Sequence, residues 1–220
     1  SMKIKDYPSL FDEQTRHEAN AFAGLCFSKK RWYGSGFLII MDACFDSIGL
    51  NYFTVVVPKV KYFYDNFFIK KNINSVEAFL KFYKEGEIGL IKNGRAWGAI
   101  HALADFVHKN RKEGEKDIDV LYRWAIKADP EKKNEDPIGR IKGIGINTFQ
   151  YLRMQVGVDS TMPDKIIRRW LLKQGIKTKD EIDTIKKMEE AAGELGISQV
   201  ELCWAIWISE SGEKGKVDIV

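Results

Sequence analysis

Two glycines flank one aliphatic residue in the stretch Ile141-Lys142-Gly143-Ile144-Gly145-Ile146-Asn147-Thr148, and their spacing points to chemistry done by the backbone. Neither Gly143 nor Gly145 carries a Cβ, and both can take positive φ, so the main chain here can come unusually close to something else. Phe149, Leu152 and Val156 follow at helical spacing, which predicts a helix opening at about Gly145 to Asn147. The first amides of a helix lack partners within it. Together with the positive end of the helix dipole they make a seat for a phosphate that needs no base contact. Candidate phosphate contacts are therefore Lys142, Gly143, Gly145, Asn147 and Thr148, with Arg168 and Arg169 flanking. Taken alone, such a glycine pair also serves a plain helix-to-helix turn that packs closely. Further on, Met162-Pro163-Asp164 leads into Ile166, Ile167 and Trp170, so Asp164 stands at a predicted helix start. There it can cap the helix, and the dipole and neighbouring amides should keep its carboxylate ionised. Both roles can coexist. Asp159 is the fallback carboxylate, with a loop role as its plainer reading.

Hairpin and aspartate together resemble the helix-hairpin-helix DNA glycosylase superfamily. In that superfamily such a hairpin precedes a Gly/Pro-rich loop that ends in a catalytic aspartate and continues Asp-x-x-(Val/Ile)-x-Arg, a frame that Asp164, Ile167 and Arg169 fit. Asn93-Gly94-Arg95-Ala96 is similar to the helix start that precedes the hairpin in these enzymes. The motif covers about residues 141–170, and the weaker likeness covers most of the chain. What the resemblance implies is an all-α fold of two helical lobes flanking a DNA-binding cleft. Residues 38–157 would form a central lobe ending in the hairpin, and residues 1–37 with 158–220 the second lobe.

The resemblance further implies that Asp164 stabilises a cation-like sugar and orients the water that completes base release. Asn147 stands where bifunctional members carry a Schiff-base lysine, and its amide cannot attack a sugar. Lys142 replaces the usual proline, and the cysteine quartet of the iron–sulfur branch is absent, so no cofactor is expected. Where relatives insert a wedge into the emptied base stack, this chain has Asp46 and Ser47. Trp32, Tyr33 and Trp97 are candidates for the pocket that holds an everted base. Backbone carbonyls near Gly139, Ile141 and Ile144 could hold a monovalent cation, as hairpins of this superfamily do. The implied activity is hydrolysis of the N-glycosidic bond of a damaged or mismatched base in double-stranded DNA, without efficient strand cleavage. A catalytically silent DNA-binding protein, or a bifunctional lyase using a displaced lysine such as Lys165 or Lys142, are the alternatives.

These residues need a scaffold, and the composition supplies an ordinary globular one. The chain has 220 residues, 45% hydrophobic and 30% charged, with Lys+Arg 35 against Asp+Glu 31 for a net charge of +4. So mild a positive balance permits a polyanionic partner without demanding one. Cys26, Cys44 and Cys203 lie far apart and fit free thiols in a reducing compartment. The longest apolar runs, such as 37–41, are too short to span a membrane. The expectation is a monomeric, intracellular protein, cytoplasmic or nucleoid-associated. Helical periodicity predicts segments at 10–27, 37–48, 96–107, 118–128, 182–195 and 200–208, with a helix after a cap at Asn74 or Ser75 and a polar connector at 131–136. Residues 52–68 are ambiguous. Val55-Val56-Val57 favours a strand, whereas Pro58 and the stripe Val56, Val60, Phe63 favour a helix, which is the reading adopted.

Overall fold

The structure, a computed structural model, describes residues 2–85 and 90–220, and among these there is no strand. Two groups of helices account for most of the packing. In the first, α1 (Tyr7–Leu10) and α2 (Glu13–Phe27) from the beginning of the chain meet α9 (Lys165–Lys173), α10 (Glu181–Leu195) and α11 (Gln199–Ser211) from its end. Phe22 of α2 stacks on Trp204 of α11 with centroids 4.1 Å apart, and Phe11 stacks on Trp170 of α9 at 5.6 Å. In the second, α3 (Gly36–Asp46) is surrounded by α4 (Val57–Phe63), α6 (Gly94–Asn110), α7 (Asp117–Ala125) and α8 (Ile146–Gln155), with α5 (Val76–Glu85) behind α6.

Helix α3 explains why the second group holds together. Ser35 caps it by accepting from the Leu38 amide at 3.1 Å, and every residue from Gly36 to Phe45 is buried. Each fully buried Phe, Leu or Ile there contributes roughly 1.5–3 kcal/mol relative to exposure. Gly36 lets the start of α3 touch α7: a Cβ would lie 2.7 Å from the Ile118 amide nitrogen. Two acidic residues, Asp42 and Asp46, interrupt this apolar helix one turn apart.

The boundaries differ from the sequence reading in ways with local causes. Residues 10–27 split at Asp12, whose carboxylate accepts from the Thr15 amide and starts α2 afresh after an extended Phe11. Ser75, not Asn74, caps α5 by accepting from the Ala78 amide, and Asp117 of α7 accepts from Val76 across the interface. Residues 52–69 are helical throughout, despite three consecutive valines, with wide turns on either side of α4. The Val56 amide reaches the Asn51 carbonyl five residues back at 3.1 Å. Pro58 falls in the first turn of α4, where a missing N–H costs nothing. Burial of Val56, Val60 and Phe63 overrides β-propensity. The connector after Asp129 is a short 3₁₀ turn, Pro130–Glu135.

Candidate nucleic-acid and base-binding site

The hairpin between α7 and α8 uses its two glycines differently. Gly143 has φ +97°, and a Cβ there would meet Arg95 Cγ at 3.3 Å and Ala99 Cβ at 3.4 Å, so the turn itself requires glycine. Gly145, at the N-cap of α8, has an ordinary φ of −81°, and a Cβ would touch nothing within 4 Å. No internal packing explains its missing side chain. It leaves open space in front of the helix start. The amides of Ile146, Asn147 and Thr148 precede the first helical hydrogen bond, which Phe149 makes to the Gly145 carbonyl at 3.0 Å.

That open space belongs to a cleft of about 780 Å³. Gly143, Gly145, Ile146, Asn147 and Thr148 line it together with the end of α3 and its following turn (Asp46, Ser47, Ile48, Gly49). Asp164 lies in the same cleft. A second, aromatic cavity of about 220 Å³ is walled by Tyr52, Phe53, Tyr151, Trp204 and Trp207. Asp46 and Asp164 line both spaces, so two carboxyl groups stand where the aromatic cavity adjoins the hairpin cleft.

Asp164 is held from two sides. Its Oδ1 accepts from the Ile167 amide at 2.8 Å, which caps α9, and its Oδ2 accepts from the Trp207 indole N–H at 3.0 Å. Burial pushes its pKa above the usual carboxylate value, while the Ile167 amide, the Trp207 N–H, the Ile166 amide and Arg169 pull it back. The aspartate caps α9 as read, and burial raises its proton affinity against the amides and indole N–H that favour its anion. Asp46 is pushed up further, well above the ordinary range, by burial and by the neighbouring Asp42 and Asp164.

Beneath the aromatic wall, Asp42 organises a buried polar cluster. Its Oδ1 accepts from Tyr151 at 2.6 Å, and its Oδ2 accepts from Tyr52 and from the Trp32 indole, both at 2.6 Å. Arg31 completes the cluster with an ion pair to Asp42 at 3.3 Å, both side chains being fully buried. Arg31 also donates to Gln155 and to the Val220 carbonyl. Two of the rings that wall the cavity are thus pinned by their hydroxyls to one carboxylate.

Several expected site residues stand elsewhere. Trp32 is fully buried and spends its indole N–H on Asp42, so it supports the cavity from behind. Tyr33 is 58% exposed and leans on Tyr64 at 4.5 Å, lining neither space. Trp97 donates to the Ile91 carbonyl and packs against Phe45 and Phe79 within the helical core. None of the three lines either space: Trp32 and Tyr33 sit in a turn of positive φ before α3, and Trp97 is held by its indole N–H and by neighbouring rings. Asp46 and Ser47 do line the cleft, Asp46 as one of the two carboxyls at the junction and Ser47 exposed. Asp159 accepts from the Val200 amide at the start of α11 and lines neither cavity. Lys142 and Arg169 are exposed, whereas Arg168 donates to Thr178 at 3.4 Å. Asn147 stays beside the cleft with its Oδ1 buried and unpartnered among the described residues. Of the proposed cation ligands, the Gly139 carbonyl accepts from the Lys133 ammonium at 2.8 Å and the Ile141 carbonyl from the Ile144 amide at 3.0 Å. A second cation at Gly139 would face that ammonium.

The residues that sequence reasoning missed are the cavity walls: Tyr52, Tyr151, Trp204 and Trp207, and the Asp42 behind them. One signal was available, the pair Asp42 and Asp46 one turn apart in a helix otherwise apolar all round. Among the described residues no helix is long and apolar enough to cross a membrane, and no trio of His, Cys, Asp or Glu is placed to hold a metal ion.

The fold is that of a DNA glycosylase. The chain is similar to the crystal structure of the 8-oxoguanine DNA glycosylase of Thermotoga maritima, with a TM-score of 0.58 over 94% of this chain and 95% of that one, at 17% identity. No curated protein matches the sequence. Residues 98–211, which carry the hairpin, Asp164 and both tryptophans of the cavity, match the model of a family described as a domain of unknown function, DUF8548, and the chain belongs to that family.

Proposed function

We propose that this protein is a monofunctional DNA glycosylase, which everts a damaged or mismatched base from double-stranded DNA and hydrolyses its N-glycosidic bond. One observation carries the reading: Asp164 lines both the aromatic cavity and the cleft bordered by the hairpin amides. A duplex whose phosphates sit on the amides of Ile146 to Thr148 presents a nucleotide to that junction. The everted base stacks among Tyr151, Trp204, Trp207 and Tyr52, and its sugar lies beside Asp164. There a fixed carboxylate stabilises the developing positive charge on the sugar and orients water toward it. Asn147 occupies the hairpin helix with an amide that cannot form a Schiff base, which supports hydrolysis over lyase chemistry. The likeness to an 8-oxoguanine DNA glycosylase makes 8-oxoguanine the first lesion to try. The protein acts inside the cell, as a monomer, without a cofactor.

The test is a panel of lesion-bearing duplexes, each analysed with and without hot alkali. Strand breaks that appear only after alkali are the expected result. Breaks without alkali, together with a covalent adduct trapped by borohydride, would assign a lyase that uses Lys165 or Lys142. Tight binding to a duplex containing a stable abasic analogue, with no excision across the panel, would leave a silent binding protein.

A further inference from the structure

We propose that Asp46 is a second catalytic residue, the general acid that protonates the departing base. The inference rests on the glycosylase reading above and deepens it: the substrate class becomes a neutral base that must gain a proton to leave. Geometry separates the two carboxyls at the junction. Asp164 has both oxygens engaged, by the Ile167 amide and the Trp207 indole, and it caps the start of α9, where the dipole favours negative charge. Asp46 is the last residue of α3, at the negative end of a helix, and no hydrogen bond holds its carboxyl among the described residues. Its charged neighbours reinforce the contrast. Asp42 lies one turn back on the same helix, Asp164 faces it from α9, and the phenols of Tyr151 and Tyr52 border it from α8 and the turn before α4. Arg95 of α6 is the one cation among the residues that line the cleft with it. Burial, with Asp164 and the Arg31-paired Asp42 nearby, raises the proton affinity of Asp46 well above the ordinary value, whereas Asp164 has donors that favour its anion. Two carboxyls in such different surroundings, one with two donors and one with none among the described residues, divide into acid and base.

The step balances as a hydrolysis. The bond between the sugar C1′ and the base nitrogen breaks with its electron pair going to the base. The Asp46 carboxyl proton passes to a ring nitrogen or carbonyl oxygen of that base. Water adds to C1′, and Asp164 takes the proton that water releases. Free base and an abasic sugar result, and exchange with solvent returns both carboxyls to their starting states.

Single-turnover excision by the wild type and Asp46→Asn, across pH, tests the assignment with two probes in duplex DNA: 8-oxoguanine, which is neutral, and 7-methylguanine, whose ring already carries a positive charge. General acid catalysis is worth about 10²–10⁴-fold, so Asp46→Asn slows release of 8-oxoguanine by at least that lower figure. The wild-type rate declines toward alkaline pH as Asp46 loses its proton, and the variant lacks that decline. The loss on 7-methylguanine, which needs no proton, is at least tenfold smaller. Folding is checked independently. A carboxyl whose pKa is raised in the native state binds more protons folded than unfolded, so its contribution to stability is lost as pH rises. The Tm of Asp46→Asn at neutral pH therefore equals or exceeds that of the wild type, and binding to an abasic-analogue duplex persists. Equal losses on the two probes, or a wild-type pH profile in the variant, would overturn the assignment while leaving the glycosylase reading standing. So would a wild type that excises 7-methylguanine alone. A wild type that excises neither probe nor any other lesion removes both.

Discussion

The hairpin and the aromatic cavity adjoin each other yet work by different groups. At the hairpin the useful atoms are backbone amides, and side chains matter chiefly by their absence at Gly143 and Gly145. Around the cavity the useful atoms are side chains from α3, α8, α9, α11 and the turn at Tyr52, held by the ion pair of Arg31 with Asp42 and by two phenol hydroxyls. A backbone site tolerates many substitutions but not an added Cβ in its open face. A side-chain site has its rings fixed by a polar network, so one broken partner is felt by all.

Substitutions can break that contrast, and the largest effect belongs to the residue both regions share. Asp164→Asn slows base release by about 10²–10⁴-fold in single-turnover assays. It is not structurally silent. Asn offers one oxygen where Asp164 uses two, so either the Ile167 amide or the Trp207 indole loses its acceptor. An unsatisfied buried donor costs about 1–3 kcal/mol, visible as a lowered Tm. On the cavity side, Asp42→Asn leaves Arg31 buried without its counter-charge, and denaturant titration should find a loss of about 3–5 kcal/mol.

The hairpin glycines sharpen the comparison at smaller scale. Gly143→Ala forces a side chain into the left-handed region at φ +97° and costs roughly 1–2 kcal/mol of stability. Gly145→Ala meets nothing and leaves Tm nearly unchanged, yet weakens binding to an abasic-analogue duplex by roughly tenfold, about 1.4 kcal/mol. If both alanine variants behave alike, the distinction drawn between the two glycines is wrong. The smallest effects fall on the rim. Lys142→Gln or Arg169→Gln each reduces the slope of log affinity against log salt by about one unit, whereas Arg168→Gln, with its guanidinium on Thr178, changes it less.

How much of this was legible in the chain follows the same division. The hairpin is eight consecutive residues, so Gly143, Gly145 and the helix start at Ile146 could be read from local spacing, and Asp164 from its place before an apolar helix. The cavity walls could not. Trp97 carries the same helical signature as Trp204 and Trp207, and only packing sets that pair, not Trp97, along the cavity. Residues 52–69 show a related ambiguity, since three valines in a row suit a strand until burial against α3 selects the helix.

The all-helical class, the hairpin and the capping aspartate were written in the order of residues, because turns, caps and amphipathic faces depend on neighbours a few positions apart. Tertiary structure alone decided that Asp46 and Asp164, far apart along the chain, face one junction, and that burial raises the proton affinity of both. Proton affinity depends on solvent exclusion and on nearby charge, and neither exists until the helices have packed.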